Sequence, residues 1–145
     1  MELKLHWLSF YRSPKTIESY VSVNLNGVEY YYIRNAQGDI IGLFDKTGTQ
    51  VVAYTYDTWG KLISTTGSLA STVGVKNPYL YRRYRYDTET GLYYLQERYY
   101  SPEWGRFMNA DGITSETGTL LSGNMFMYCF NNPINTSDCY GQWPS

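Results

Sequence analysis

Near the start of the chain, Leu3, Leu5 and Trp7 are interleaved with Glu2, Lys4 and His6. A period of two predicts a strand with one wet face. A loop through Ser13-Pro14 follows. From Val21 onward, apolar or aromatic runs recur, among them Glu29-Tyr-Tyr-Tyr-Ile33, Val51-Val-Ala-Tyr-Thr-Tyr56 and Leu92-Tyr-Tyr-Leu95. Most are closed by a segment of the form Asn/Asp-x-x-Gly: Asn35-Ala-Gln-Gly38, Asp45-Lys-Thr-Gly48, Asp57-Thr-Trp-Gly60 and Asp138-Cys-Tyr-Gly141. Two closers are one residue longer, Asp87-Thr-Glu-Thr-Gly91 and Ser101-Pro-Glu-Trp-Gly105. An Asx side chain at a turn start accepts a backbone N–H two residues on, and glycine takes the positive φ that returns the chain. The pattern therefore predicts a series of β-hairpins, and no window predicts an amphipathic helix.

Two stretches break the rhythm. Thr65 to Asn77 is small and polar and reads as a loop with at most a helical turn around Leu69-Ala70; Ile113 to Gly123 reads as a second long connection. Turn spacing near 10 to 12 residues suggests hairpins stacked in a solenoid-like or wrapped sheet. Such units do not bury an apolar face alone, so the array is expected to lean on further repeats of a longer chain.

Composition narrows the chemistry. The 145 residues are one domain's worth of chain, and 12 Lys+Arg against 13 Asp+Glu supply no global field for a polyanion or an anionic membrane. With 17 Tyr against 5 Phe, most rings carry a hydroxyl that needs a partner when buried. His6 is the only histidine, which excludes the Ser/His/Asp, Cys/His and multi-histidine metal arrangements. Cys129 and Cys139 fit neither a CxxC redox pair nor a zinc pair, and whether they form a disulfide stays open. The polar residues at the N-terminus read against a signal peptide, and no run is long enough to cross a bilayer.

Tyr56-Asp57-x-x-Gly60-x-Leu62 resembles a YD repeat. From Asn77 onward the chain resembles the RHS repeat-associated core domain that ends Rhs and other YD-repeat proteins. The matching residues are Tyr86-Asp-Thr-Glu-Thr-Gly-Leu-Tyr-Tyr-Leu-Gln96, Arg98-Tyr-Tyr-Ser-Pro-Glu-Trp-Gly-Arg-Phe107, Asn124-Met-Phe-Met-Tyr128 and Asn131-Asn-Pro-Ile-Asn135, followed by Asp138-x-x-Gly141. The resemblance implies a β-cocoon that encloses a variable C-terminal toxin, with the core domain plugging one end, as in Rhs-type toxins and insecticidal toxin complex components. In several such proteins the core is also an aspartyl autoprotease. This chain departs from the family's usual Asp-Pro-x-Gly, having Cys139 in place of the proline. Arg83, Arg85, Ser101 and Phe130 stand where members often carry Gly, Tyr, Asp and a small residue.

The expected fold is thus all-β, stacked antiparallel hairpins of YD repeats forming part of a shell, with an irregular C-terminal plug. Residues 1–25 read as an N-terminal strand segment, 26–66 as YD repeats, 77–142 as the core domain and 143–145 as a tail. Asp57, Gly60, Asp87, Gly91, Gly105, Arg106 and Gly141 are the structural turn residues, with Arg106 as a buried clamp on a turn carboxylate. The expected function is containment and delivery of a toxic cargo, with the upstream shell, an enclosed C-terminal toxin and an export apparatus as partners. As part of a larger exported protein it would be secreted or at the cell surface; expressed alone it would be cytoplasmic. The competing reading is an aspartyl autoprotease using Asp138 with Asp111, or with an acid supplied by neighbouring sequence, as partner, since such chemistry needs two carboxylates sharing a proton.

Other readings weigh less. Trp59, Trp104 and Trp143 suggest a carbohydrate-binding adhesion face, though aromatic rings more often ladder adjacent strands. Tyr79-Leu-Tyr-Arg-Arg-Tyr-Arg-Tyr86 resembles a single-strand nucleic-acid platform, but a strand whose arginines stack on tyrosines and pair with Asp87, Glu89 or Glu97 is preferred, and no nucleic acid is expected. Asp39, Asp45, Asp57 and Asp87 lack the spacing of a calcium loop, so neither metal nor cofactor is expected. Cys129, between Tyr128 and Phe130, reads as an inert buried thiol.

Overall fold

The structure is a computed structural model that describes residues 4–7, 20–110, 124–138 and 141. Six antiparallel strands follow one another in chain order: β1 (Lys4–Trp7), β2 (Tyr20–Leu25), β3 (Val28–Arg34), β4 (Ile40–Phe44), β5 (Gln50–Tyr56) and β6 (Leu62–Thr66). A second sheet of four shorter strands contains β7 (Arg85–Asp87), β8 (Leu92–Tyr94), β9 (Tyr99–Ser101) and β10 (Arg106–Phe107), again in sequential antiparallel order. The architecture is the all-β hairpin array that the sequence pattern predicts. The Ile113–Gly123 connection, the Ser13-Pro14 loop and the 143–145 tail lie outside the described residues.

One corner is built three times. Asp57 Oδ1 accepts the backbone N–H of Trp59 and of Lys61 at 2.8 and 2.9 Å, while Gly60 N–H donates to Asp57 O at 3.1 Å. Asp45 repeats this with Thr47 and Thr49, and Asn35 with Gln37 and Asp39. One side-chain oxygen therefore satisfies two donors that the tight return would orphan. The β2–β3 hairpin uses a different device, the two-residue Asn26–Gly27 loop with φ of 55° and 83°. This pair matches the sign of strand twist and is a strong hairpin signal, yet it escapes a search for Asx-x-x-Gly. The hairpin it closes straddles the boundary drawn between residues 25 and 26.

Alternation sorts the rings. Tyr30 and Tyr32 point into the core while Tyr31 lies half-buried on the other face, stacked on Phe44. In the doublets, Tyr93 and Tyr100 are fully buried, whereas Tyr94 and Tyr99 are 41% and 44% exposed. Each doublet thus has one core ring and one surface ring.

The buried rings explain the excess of tyrosine over phenylalanine, because their hydroxyls end on backbone carbonyls of other segments. Three converge on a single corner: Tyr81 donates to Thr58 O at 3.3 Å, Tyr100 to Trp59 O at 2.7 Å and Tyr93 to Gly60 O at 2.8 Å. Tyr54 reaches Gly74 O at 2.8 Å and Tyr56 reaches Ile40 O at 2.5 Å. Asn77 joins in from the segment between the sheets, accepting from the Tyr32 hydroxyl at 3.0 Å and donating to that of Tyr54 at 3.3 Å. That segment is packed rather than loose. Leu69 N–H donates to Val51 O at 3.0 Å, and a π-helical turn at Ala70–Gly74 buries Val73.

Within Tyr79 to Tyr86, Arg85 and Tyr86 keep the expected strand as part of β7, and the residues before them depart from it. Tyr81–Arg83 is a 3₁₀ turn in which Arg82 and Arg83 have φ of 50° and 62°. Tyr81 and Tyr84 are both buried, and two residues three apart would face opposite sides of a strand; the turn is what lets both rings enter the core. Arg82 accordingly pairs with Asp39 at 3.7 Å, and not with Asp87, Glu89 or Glu97.

Two outcomes follow from this packing. A Cβ at Gly60 would overlap the Tyr81 ring in a backbone of φ 87°, whereas at Gly27, φ 83°, nothing lies within 4 Å. Gly60→Ala should therefore cost about 2–5 kcal/mol and Gly27→Ala about 1–2 kcal/mol, read as the difference in urea midpoints. The second concerns alkaline pH. Burial pushes the Tyr54 hydroxyl up to about 12, opposed by its Asn77 hydrogen bond, and raises Tyr56, Tyr93, Tyr100 and Tyr128 as well. Below the unfolded value of 10 the phenolic proton is bound in both states and stability is whole; above it only the folded state retains the proton, so stability falls as pH rises toward the folded values. Tyr54 alone should remove on the order of 2–3 kcal/mol by the time its folded value is passed. The buried tyrosinate absorbance should appear together with loss of sheet circular dichroism; its gradual appearance in an intact sheet would contradict this account.

Candidate functional site

After the second sheet the chain returns to the core, and the returning segment carries the candidate centre. Asp138 is fully buried. Its Oδ1 accepts the Gly141 N–H at 2.8 Å, its Oδ2 lies 3.5 Å from Arg98 Nη2, and its backbone O accepts the Tyr84 hydroxyl at 2.6 Å. Arg98, itself 5% exposed, also donates through Nε to Gly141 O and through Nη1 to Met125 O at 3.1 Å, with its guanidinium carbon 3.6 Å from the centre of the Phe107 ring. Burying such a pair is tolerable only because both charges are paired and further hydrogen-bonded. A Cβ on Gly141, φ 72°, would meet Leu95 O at 2.9 Å, so the backbone closes directly onto the β8–β9 connection.

The clamp is Arg98, and this corrects the role given to Arg106. Phe107 is buried on β10, so its neighbour Arg106 must point outward and is exposed. On β9 the buried Tyr100 is two residues from Arg98, which places Arg98 inward. That alternation is visible in Arg98-Tyr-Tyr and is the signal that could have identified the clamp.

Other sequence-predicted residues fall at corners away from Asp138. Asp57 and Gly60 form the triple tyrosine seat. Asp87 takes the Glu89 N–H at 3.1 Å and the Thr90 hydroxyl at 2.8 Å, and this hydroxyl is the main reason its carboxyl is held below the usual range. Gly91 ends that turn, and Gly105 ends the β9–β10 turn beside the face of Trp59. Asp111, Cys139 and Trp143 lie outside the described residues. Asp39, weighed as a metal ligand, is buried and engaged with Asn35 and Arg82; among the described residues no group of three or more His, Cys, Asp or Glu could hold a metal. Cys129 is a buried free thiol pushed up to about 11 by burial, which leaves it protonated and unreactive at neutral pH. A cleft of about 460 Å³ borders Trp59 and Trp104, with the Lys61–Glu103 ion pair, 2.5 Å, at its edge. Among the described residues, then, the buried centre holds one carboxylate tied to an arginine and a turn amide, an arrangement that fastens the returning segment.

Residues 18–135 match the family model described as Teneurin YD-shell. The tRNA nuclease WapA of Bacillus subtilis (strain 168) is 44% identical over 115 residues, covering 79% of this chain and 5% of that protein. The tRNA3(Ser)-specific nuclease WapA of Bacillus spizizenii is 41% identical over 123 residues, covering 85% of this chain and again 5% of the relative. The chain therefore spans a small fraction of the curated relatives it matches. Among solved structures, the TcdB2-TccC3-Cdc42 crystal structure superposes with a TM-score of 0.72 at 25% identity, over 97% of this chain and 6% of that one. With its sequential hairpins, corner-seated tyrosines and re-entrant C-terminal segment, the chain belongs to the teneurin YD-shell family.

Proposed function

We propose that this chain is a length of shell wall together with its end-plug, within a longer protein that contains and delivers a C-terminal toxic cargo. The observation that carries the reading is the Arg98–Asp138 fastening: a charged pair buried under Phe107 joins the second sheet to the segment that re-enters it. A wall that must stay closed around a cargo needs its last turn tied inward. Arg82, on Asp39 and on Pro133 O, makes a second tie between the first sheet and that segment. The nuclease names of the relatives fit a cargo of that kind, and the export apparatus and upstream shell are partners of the whole protein. On this reading Asp57, Gly60, Asp87, Gly91, Gly105 and Gly141 hold corners, and Asp138 fastens the plug without cutting the chain.

Arg98→Met leaves a buried carboxylate without its cation and should destabilise the chain by about 3–5 kcal/mol, measured by urea unfolding. The shell reading is tested on the chain together with the sequence encoded on both sides of it. The expected result is an uncut polypeptide by mass spectrometry whose downstream portion resists trypsin until the sheet is melted. A cut that disappears in Asp138→Ala would instead establish the autoprotease, and a downstream portion digested as fast as free peptide would remove the shell.

A further inference from the structure

The sequence motif Tyr79 to Tyr86 interleaves cations with rings, and the fold breaks it apart: Arg82 goes to Asp39, and Arg83 lies by Gly38. Arg85 stays on the surface, and the register gives it new company. Arg85 lies opposite Tyr94, and Tyr94 opposite Tyr99, so the three share the outer face of the second sheet in one row across β7, β8 and β9. The two tyrosines are 41% and 44% exposed, with ring centres 5.2 Å apart. Beside them a cleft of about 500 Å³ adds Lys76 from the segment between the sheets. Neither the Lys76 nor the Arg85 side chain makes a hydrogen bond or ion pair with a described residue. The acid in the cleft, Asp87, has one oxygen on the Glu89 N–H and the other on the Thr90 hydroxyl. The cleft thus offers one cation without a described partner, Lys76, and one, Arg85, that also attracts the Asp87 carboxylate beside it, next to two open rings.

We propose that this face binds single-stranded nucleic acid, with Tyr94 and Tyr99 stacking bases and Lys76 and Arg85 meeting phosphates. Charge complementarity selects an anion, and the paired rings select an anion that carries planar groups. A charged ring-free polymer would use the cations and leave the rings idle. The chain's net charge of -1 supplies no long-range attraction, so binding rests on this local set and is salt-sensitive. It reverses the expectation of no nucleic-acid partner, on residues that the motif did not bring together by itself. It is independent of the shell reading, since neither Arg98 nor Asp138 takes part.

Fluorescence anisotropy with a labelled short thymidine oligonucleotide tests it on the 145-residue chain. Saturable binding is expected at low salt, weakening roughly 25-fold for a tenfold rise in salt if two cations each release about 0.7 of a counterion. Tyr94→Ala and Tyr99→Ala should each lower affinity roughly 5- to 150-fold, the range of one lost base stack. Lys76→Gln should reduce the salt slope by about 0.7. All three positions are exposed, and unchanged circular dichroism will show that the variants fold. Absence of saturable binding overturns the proposal. So does affinity indifferent to both tyrosines, or an oligouronate of similar charge that binds as tightly as the oligonucleotide.

Discussion

The structure depends on a match between two kinds of group that neither core nor solvent accepts alone, the buried phenol and the inward-facing carbonyl of a hairpin corner. A tight return turns some carbonyls toward the interior, where leaving one unpaired costs roughly 1–3 kcal/mol. A tyrosine supplies apolar area for the core and one donor at its tip. At the Asp57–Gly60 corner three consecutive carbonyls are answered by Tyr81, Tyr100 and Tyr93, all from the second half of the chain. Phenylalanine would fill the same volume and leave the corner unsatisfied. The corner is therefore both the end of one hairpin and the seat on which the second sheet rests, which is how the repeat array acquires a fixed partner across the core that the two sheets share.

This division of labour also accounts for what the sequence revealed. Asx-x-x-Gly closers are local: Asp45 or Asp57 satisfies donors two and four residues away, so a five-residue window contains the whole interaction. Doublet alternation is likewise local: it puts the two rings of each doublet on opposite faces, while which ring faces the core is set by the packing. The destinations of the hydroxyls were not legible, because Tyr93 and Gly60 are 33 residues apart in the chain. The turn at Tyr81–Arg83 was hidden for a related reason. Its backbone is dictated by two rings that must enter one core, and the propensity of Tyr-Arg-Arg-Tyr for a strand yields to that demand.

The same comparison explains the misplaced clamp. Arg106 adjoins a turn glycine, but burial follows the strand period, which sends Arg98 in and Arg106 out. Asp138 was legible as a turn acid because its oxygen caps the Gly141 amide as in the other corners. Its burial was not, since it arises from the return of the segment beneath Tyr84 and Arg98. Ser101, where the resembling family often has Asp, still accepts the Trp104 N–H at 3.3 Å, so the hydroxyl keeps part of the carboxylate's capping role.

The buried Arg82–Asp39 and Arg98–Asp138 ion pairs and the left-handed turns belong to one mechanical arrangement. Arg82–Arg83 and Cys129–Asn131 all have positive φ without glycine, a conformation costing about 1–2 kcal/mol per residue. Arg83 and Phe130 are positions where the resembling family often has Gly or a small residue, and the observed φ of 62° and 49° supplies the reason. The strained turns are tied at several points: Arg82 bridges Asp39 and Pro133, and the Tyr84 hydroxyl lies 3.1 Å from that of Tyr128 and donates to Asp138 O. Buried charge pairs add little net stability when compared with apolar packing, but they tolerate few alternative geometries. Their placement at the strained returns, rather than along the sheets, indicates that fixing the path of the re-entrant segment is what they contribute. The sheets are held along their length by ladder hydrogen bonds; the returning segment is buried at Tyr128, Cys129 and Asp138 but pairs with β10 only briefly, through Phe126 and Met127, and needs further directional contacts to be unique.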